Sequence, residues 1–126
     1  MLREISFTIP GRPVGKERPR VTKSGHAFTP EKTRKAEQAI ALLARVATSR
    51  VAAMHRPLAP YKVEIGIVWE DKRHPDIDNV AKCVLDAMNG VAYPDDADVS
   101  MLVVRAIGTS KQYPRVTVVV SESLRD

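Results

Sequence analysis

The residue types best suited to catalysis are concentrated in one stretch of nine, His74-Pro75-Asp76-Ile77-Asp78-Asn79-Val80-Ala81-Lys82. Two helical residues that are two apart point about 200° away from each other, so Asp76 and Asp78 cannot share a ligand inside a helix. They can share one if Asp76 lies in the extended approach or at the N-cap and Asp78 lies in the first turn. Lys82 then follows Asp78 by one turn, beside the acids. Asp86, one turn further, either orients this lysine or forms an ordinary surface pair with it.

Two converging carboxylates repel each other, and each raises the pKa of the other unless a cation lies between them. Oxygen ligands favour Mg²⁺ or Mn²⁺, which leave coordination positions open for water and phosphate. We expect the turn at Asp95-Asp96 to bring a third carboxylate to the same end of the sheet. Three acids and a lysine are the inventory of a metal-dependent phosphodiesterase. In the simpler alternative, the acids are helix caps and turn residues.

Apolar periodicity predicts the elements that must position these residues. The expected elements are a strand over 5–9, a helix from an N-cap at Thr29 to about Val51, a strand over 63–69, a helix over 77–88 with Ile77 on its apolar face, and strands at Val99–Ile107 and Arg115–Val120. We expect the last two strands to pair as a hairpin through 108–114. The order predicts one domain over residues 1–126, of the α+β class, with a small mixed sheet and two main helices in two layers.

Positive charge is concentrated in the first part of the chain. Residues 1–50 hold eleven Lys and Arg and four Glu, whereas residues 51–126 hold nine Lys and Arg and eleven Asp and Glu. Alternating cations in an extended segment lie on one side, and a turn at Ser24-Gly25 favours a basic hairpin or arm around 12–28. The expected contacts with DNA phosphates are Lys16, Arg18, Arg20, Lys23 and Arg73. The alternative is an edge strand that its charge keeps in solvent.

The composition excludes several other classes of protein. Of 126 residues, 44% are hydrophobic and 28% charged, which is typical of a globular domain and not of a disordered chain. The single cysteine, Cys83, excludes an intrachain disulfide framework, and three scattered histidines lack the spacing of zinc ligands. No apolar run is long enough to span a membrane, and Glu4 interrupts the apolar start that a signal peptide needs. We therefore expect a soluble, cytoplasmic protein.

Taken together, these motifs resemble the RusA family of Holliday-junction resolvases, which prophages often carry. The family elements P-D-x-D-N-x-x-K, L-D-A-x-N-G and D-D are similar to Pro75–Lys82, Leu85–Gly90 and Asp95-Asp96. Its K-x-R-P-R and T-P elements are similar to Lys16–Arg20 and Thr29-Pro30. The resemblance covers nearly the whole chain and implies a RusA-like fold.

The resemblance implies a Mg²⁺-dependent endodeoxyribonuclease, with Mn²⁺ as a substitute, that acts in DNA recombination and repair. It also implies a homodimer that resolves Holliday junctions by paired, symmetric nicks. Asp76, Asp78 and Asp96 fall where the family binds metal, and Lys82 falls where it has its catalytic lysine. Asp95 matches the first acid of the D-D pair.

Two positions depart from the family pattern. Asp98 stands where glutamine is frequent, and Arg105 stands where lysine is frequent. The added carboxylate of Asp98 either binds metal or increases repulsion, and neither departure removes an expected ligand.

Two other functions are compatible with the same residues: a noncatalytic nucleic-acid-binding module, and a nuclease for other branched DNA or hybrids.

A junction with two-fold symmetry is matched by a two-fold protein, which gives the dimer a physical rationale. The strands Val99–Ile107 and Arg115–Val120 are richer in apolar residues than one buried face requires. The extra apolar face is either a dimer interface or a core that the helices cover.

Overall fold

The computed structural model describes residues 3–17 and 19–123, and it contains both strands and helices. The elements are β1 Glu4–Pro10, β2 Arg20–Val21, β3 Ala27–Phe28, α1 Glu31–Ser49, β4 Tyr61–Trp69, α2 Ile77–Met88, β5 Val99–Thr109 and β6 Arg115–Glu122. Four strands form a mixed sheet and two form a small hairpin. This α+β architecture confirms the predicted fold class. Among the described residues, no helix is long and apolar enough to cross a membrane.

The strand order of the main sheet is β1-β6-β4-β5. β6 is antiparallel to both β1 and β4, whereas β4 and β5 are parallel. The expected β5–β6 hairpin is therefore wrong, because β4 lies between the two strands. A parallel pair needs a crossover connection, and α2 supplies it between β4 and β5.

The core lies between the sheet and the two helices. Val116, Val118 and Val120 of β6 are almost fully buried, so the apolar face of this strand belongs to the core. β5 is an edge strand, and Met101, Leu102 and Ile107 are exposed on it. The large apolar side chains that are exposed on these two strands therefore lie on β5.

The two helices begin differently from one another. α1 begins at Glu31 with Pro30 as its N-cap and has no side-chain cap, so the expected Thr29 cap is wrong. α2 begins at Ile77 with Asp76 as its N-cap, in an extended conformation. Ile77 is 42% exposed, which contradicts its expected place on the buried face; Val80 and Ala81 hold that face instead.

Candidate active site

Asp76 and Asp78 have the backbone arrangement that allows their two carboxylates to share one ligand. Asp76 is the extended N-cap of α2, with φ −70° and ψ 153°, and Asp78 lies in the first helical turn. Both residues are exposed. The backbone N–H of Asn79 donates to Asp78 Oδ1 at 3.0 Å, and the Asp76 side chain makes no capping bond. The Asp76 carboxylate is therefore not used to cap its own helix.

Lys82 lies one turn after Asp78, and its ammonium donates to Asp86 Oδ1 at 3.1 Å. The Lys82 side chain is 61% exposed, whereas the Asp86 side chain is only 22% exposed. Lys82 is thus tethered by a partly buried carboxylate and remains accessible to a substrate.

Asp96 lies at the other end of α2 from Asp76 and Asp78. Its backbone N–H donates at 3.1 Å to the side chain of Asn89, which caps the C-terminus of the helix. The Asp96–Asp98 turn leads into β5 beside Tyr61, the first residue of β4. Burial raises the pKa of Tyr61, and the nearby Asp98 carboxylate raises it further.

The expectation that the Asp95-Asp96 turn returns to the same end of the sheet is therefore wrong. α2 has 12 residues, so its two ends are about 18 Å apart. Within the described ranges, no three His, Cys, Asp or Glu side chains are grouped closely enough to hold a metal ion. The carboxylates of Asp76 and Asp78 are suitable ligands for a divalent cation. Within a single chain, Asp96 lies too far from them to be a third ligand.

An apolar groove of about 280 Å³ runs between α2 and β5, beside Asp78 and Lys82. Its walls are the side chains of Ile77, Ala81, Leu85, Leu102 and Val104. Asp78 and Lys82 thus stand at the edge of an apolar surface that faces solvent in this chain.

A basic cleft of about 490 Å³ lies on the other side of the first turn of α2, where Asn79 lines it. Its cationic side chains are Arg12, Lys16, Lys32 and Arg73, and the ring of His74 also lines it. The ring of His74 is stacked on Trp69, with centroids 3.9 Å apart, so the buried tryptophan positions this wall of the cleft.

Arg12 fastens the N-terminal segment to the loop between β4 and α2. Its guanidinium donates to Glu70 Oε2 at 2.6 Å, to Asp71 Oδ2 at 3.0 Å and to the backbone carbonyl of Arg73. The hydrogen bond from Arg12 lowers the pKa of Asp71, and the backbone N–H of Arg73 lowers it further. The loop that precedes Asp76 is therefore held by a residue far away in the sequence.

The predicted DNA contacts have different surroundings. Lys23 and Arg73 are exposed, and Arg20 pairs with Glu17 at 3.6 Å. Lys16 is only 22% exposed, and its ammonium already contacts two carboxylates. Arg18 lies outside the described residues.

Sequence reasoning did not find Arg12, Lys32 or Glu37, which line the cleft or pair with its lysine. Arg12 lies next to Pro13 and carries no local pattern, since its partners are about sixty positions away. The place of Asp96 did have a signal: a turn after a 12-residue crossover helix lies at the opposite end from the start of that helix.

Comparison with known proteins identifies the family of the chain. The chain belongs to the RusA endodeoxyribonuclease family, whose model, endodeoxyribonuclease RusA, matches residues 10–121. It is also similar to the uncharacterized protein YqaN of Bacillus subtilis (strain 168), with 32% identity over 139 aligned positions. That alignment covers 94% of this chain and 96% of the relative. The family resemblance read from the motifs is thereby confirmed, and the family is one of nucleases.

Proposed function

We propose that this chain is a Mg²⁺-dependent endonuclease that resolves four-way DNA junctions as a homodimer, by paired nicks in opposing strands. The observation that carries the proposal is the placement of two acids and a lysine on the first turns of α2, beside a basic cleft, in a chain of the RusA family. Mn²⁺ is expected to substitute for Mg²⁺ because both prefer oxygen ligands.

Positive charge at the surface supports binding to the DNA backbone. Arg20 and Lys23 lie on or beside the β2–β3 hairpin, and Arg73 lines the cleft. Contacts of this kind position a duplex without reading its sequence, which suits a nuclease that selects branched shape. Arg18, which lies outside the described residues, is expected to contact DNA phosphates as well.

Lys82 and the two acids account for the proposed chemistry. A divalent ion, when bound, polarises the scissile phosphate and activates water. Asp76 and Asp78 would hold the ion, and both are exposed to solvent from which an ion can arrive. The Lys82 ammonium stabilises negative charge on the phosphate or on the leaving oxygen.

The third acid, Asp96, would come from a second copy of the chain. Asp96 lies a helix length from Asp76 in its own chain, so only a partner can place it at the first turn of α2. The apolar groove between α2 and β5 supports such a partner, because it exposes Leu102 next to Asp78 and Lys82. Two-fold symmetry would then build two equivalent sites for two opposing strands.

The proposal is tested by incubating a synthetic four-way junction with Mg²⁺ and either the parent or the Asp76→Asn, Asp78→Asn and Lys82→Met variants. We expect the parent to nick two opposing strands. Each variant should bind the junction but cleave it about a hundredfold more slowly, or not at all. Glu31→Gln is the matched control, since Glu31 is a carboxylate in the first turn of α1, and it should cleave like the parent.

Three outcomes would overturn the proposal. Cleavage by Asp76→Asn and Asp78→Asn at the parental rate would remove the assigned site. Tight binding without cleavage under any divalent ion would indicate a noncatalytic module. Faster cleavage of flaps or RNA–DNA hybrids than of junctions would indicate a different nuclease.

A further inference from the structure

Lys16 lies between β1 and β2, and its ammonium contacts both helices. It contacts Glu37 Oε1 of α1 at 2.6 Å and Asp86 Oδ2 of α2 at 3.3 Å. The exposed fractions of these three side chains are 22%, 23% and 22%, so the contacts are partly sheltered from solvent. Ion pairs of this kind are screened less by water and salt than exposed ones.

Asp86 is shared between two lysines. Its Oδ2 contacts Lys16, and its Oδ1 accepts a hydrogen bond from Lys82 at 3.1 Å. An exposed pair one turn apart on a helix contributes little order by itself. Because Lys16 holds the second oxygen, the Asp86 carboxylate is fixed, and a fixed acceptor restricts Lys82.

Backbone contacts hold Lys16 in place along α2. The Lys16 N–H donates to the Asn79 carbonyl at 2.9 Å. Gly15 is so close to α2 that a Cβ there would stand 2.6 Å from Pro75 Cβ and 3.3 Å from Asn79 Cβ. On the other side, the Glu17 N–H donates at 3.3 Å to Thr33 of α1, which is fully buried. The backbone is therefore held at Lys16 itself and at the residues directly before and after it.

We propose that Lys16, Glu37 and Asp86 are positioning residues that hold the ammonium of Lys82 in place for phosphate chemistry. This inference rests on the proposed nuclease function, in which Lys82 acts on the substrate. Without Lys16, no ammonium lies between Glu37 and the Oδ2 of Asp86, and Asp86 keeps only its contact with Lys82. Repulsion between the two carboxylates then displaces the Asp86 acceptor from its position beside Lys82. Lys16 thus acts on cleavage through Lys82 instead of by contacting a DNA phosphate.

The kinetic test separates the cleavage rate from junction affinity. Single-turnover cleavage and the junction Kd are measured for Lys16→Met, Lys16→Arg and Asp86→Asn. We expect Lys16→Met and Asp86→Asn to slow cleavage by about ten- to a hundredfold with an unchanged Kd, and Lys16→Arg to retain most of the rate. In a Lys82→Met background, Lys16→Met should cause no further loss. Lys35→Met, which removes an exposed pair with Glu31 on α1, should change neither quantity.

A second measurement does not depend on nuclease activity. NMR relaxation of the Lys82 side-chain ammonium in the free protein should show an ordered group in the parent and in Lys35→Met. The order should fall in Lys16→Met and Asp86→Asn. If Lys82 is as ordered in Lys16→Met as in the parent, or if that variant weakens Kd at an unchanged cleavage rate, the inference is overturned. A parent that cuts no branched DNA would overturn the proposed function, while the NMR result would still decide the network.

Discussion

Gly15 and Pro75 are in such close contact that a Cβ at position 15 would stand 2.6 Å from Pro75 Cβ. The contact presses the N-terminal segment against the residue that precedes Asp76. A side chain at position 15 would push the N-terminal segment away from Pro75. The cleft wall that this segment forms would then move away from the first turn of α2.

Gly15→Ala is expected to lower the free energy of unfolding by about 1–3 kcal/mol, the usual effect of overpacking a tight contact. Thermal unfolding measures this change. Gly108→Ala is the control, because a Cβ at Gly108 would meet nothing within 4 Å. Equal stability of the two variants would contradict the prediction.

The Arg12→Met substitution should make the free energy of unfolding depend less on pH in the acidic range. The pKa of Asp71 is lowered below 3.8 in the folded protein, chiefly by Arg12, so this contact stabilises the fold above that value. The contribution is lost as the pH falls through the lowered pKa. Urea unfolding from about pH 2 to pH 7 should show a parent that is more stable than Arg12→Met near neutrality, with a gap that closes in acid. A gap of constant size across this range would count against the argument.

Mixing two inactive variants should restore nicking if each site uses two chains. In a heterodimer of Asp78→Asn with Asp96→Asn, one site carries both substitutions and the other carries neither. We expect each variant alone to be inactive and the mixture, after subunit exchange, to nick one strand of the junction. The control mixes Asp76→Asn with Asp78→Asn, which damages both sites in every dimer. No activity in the first mixture, with exchange demonstrated, would show that the sites are not shared.

Leu102→Glu should dissociate the dimer. Leu102 is 44% exposed on the edge strand β5 and lines the apolar groove, so a charge there would be buried in the proposed interface. Sedimentation should show a dimeric parent and a monomeric variant. Ser6→Glu, an exposed position on the opposite edge strand β1, should remain dimeric. A parent that sediments as a monomer would contradict the interface.

The sequence predicted the individual strands and helices better than it predicted which of them lie side by side. The alternating valines of β6 fit a strand beside β5 as well as one between β1 and β4, since periodicity identifies the buried face but not the neighbour. Asp76 and Asp78 were placed correctly at the start of α2 because the apolar periodicity that marks where a helix begins is local in the sequence. The contacts of Lys16 with Glu37 and Asp86 had no local signal, because they join residues 21 and 70 positions apart. Long-range ion pairs become visible only when the packing of α1 against α2 is known.

In a dimer with shared sites, the length of α2 sets the distance between the two active sites. The first turn of one copy meets the Asp96 turn of the other, so the two reaction centres are separated by roughly one helix, about 18 Å. A helix of 12 residues would thereby set the spacing of the two cuts across the branch point, independently of any base that the protein touches.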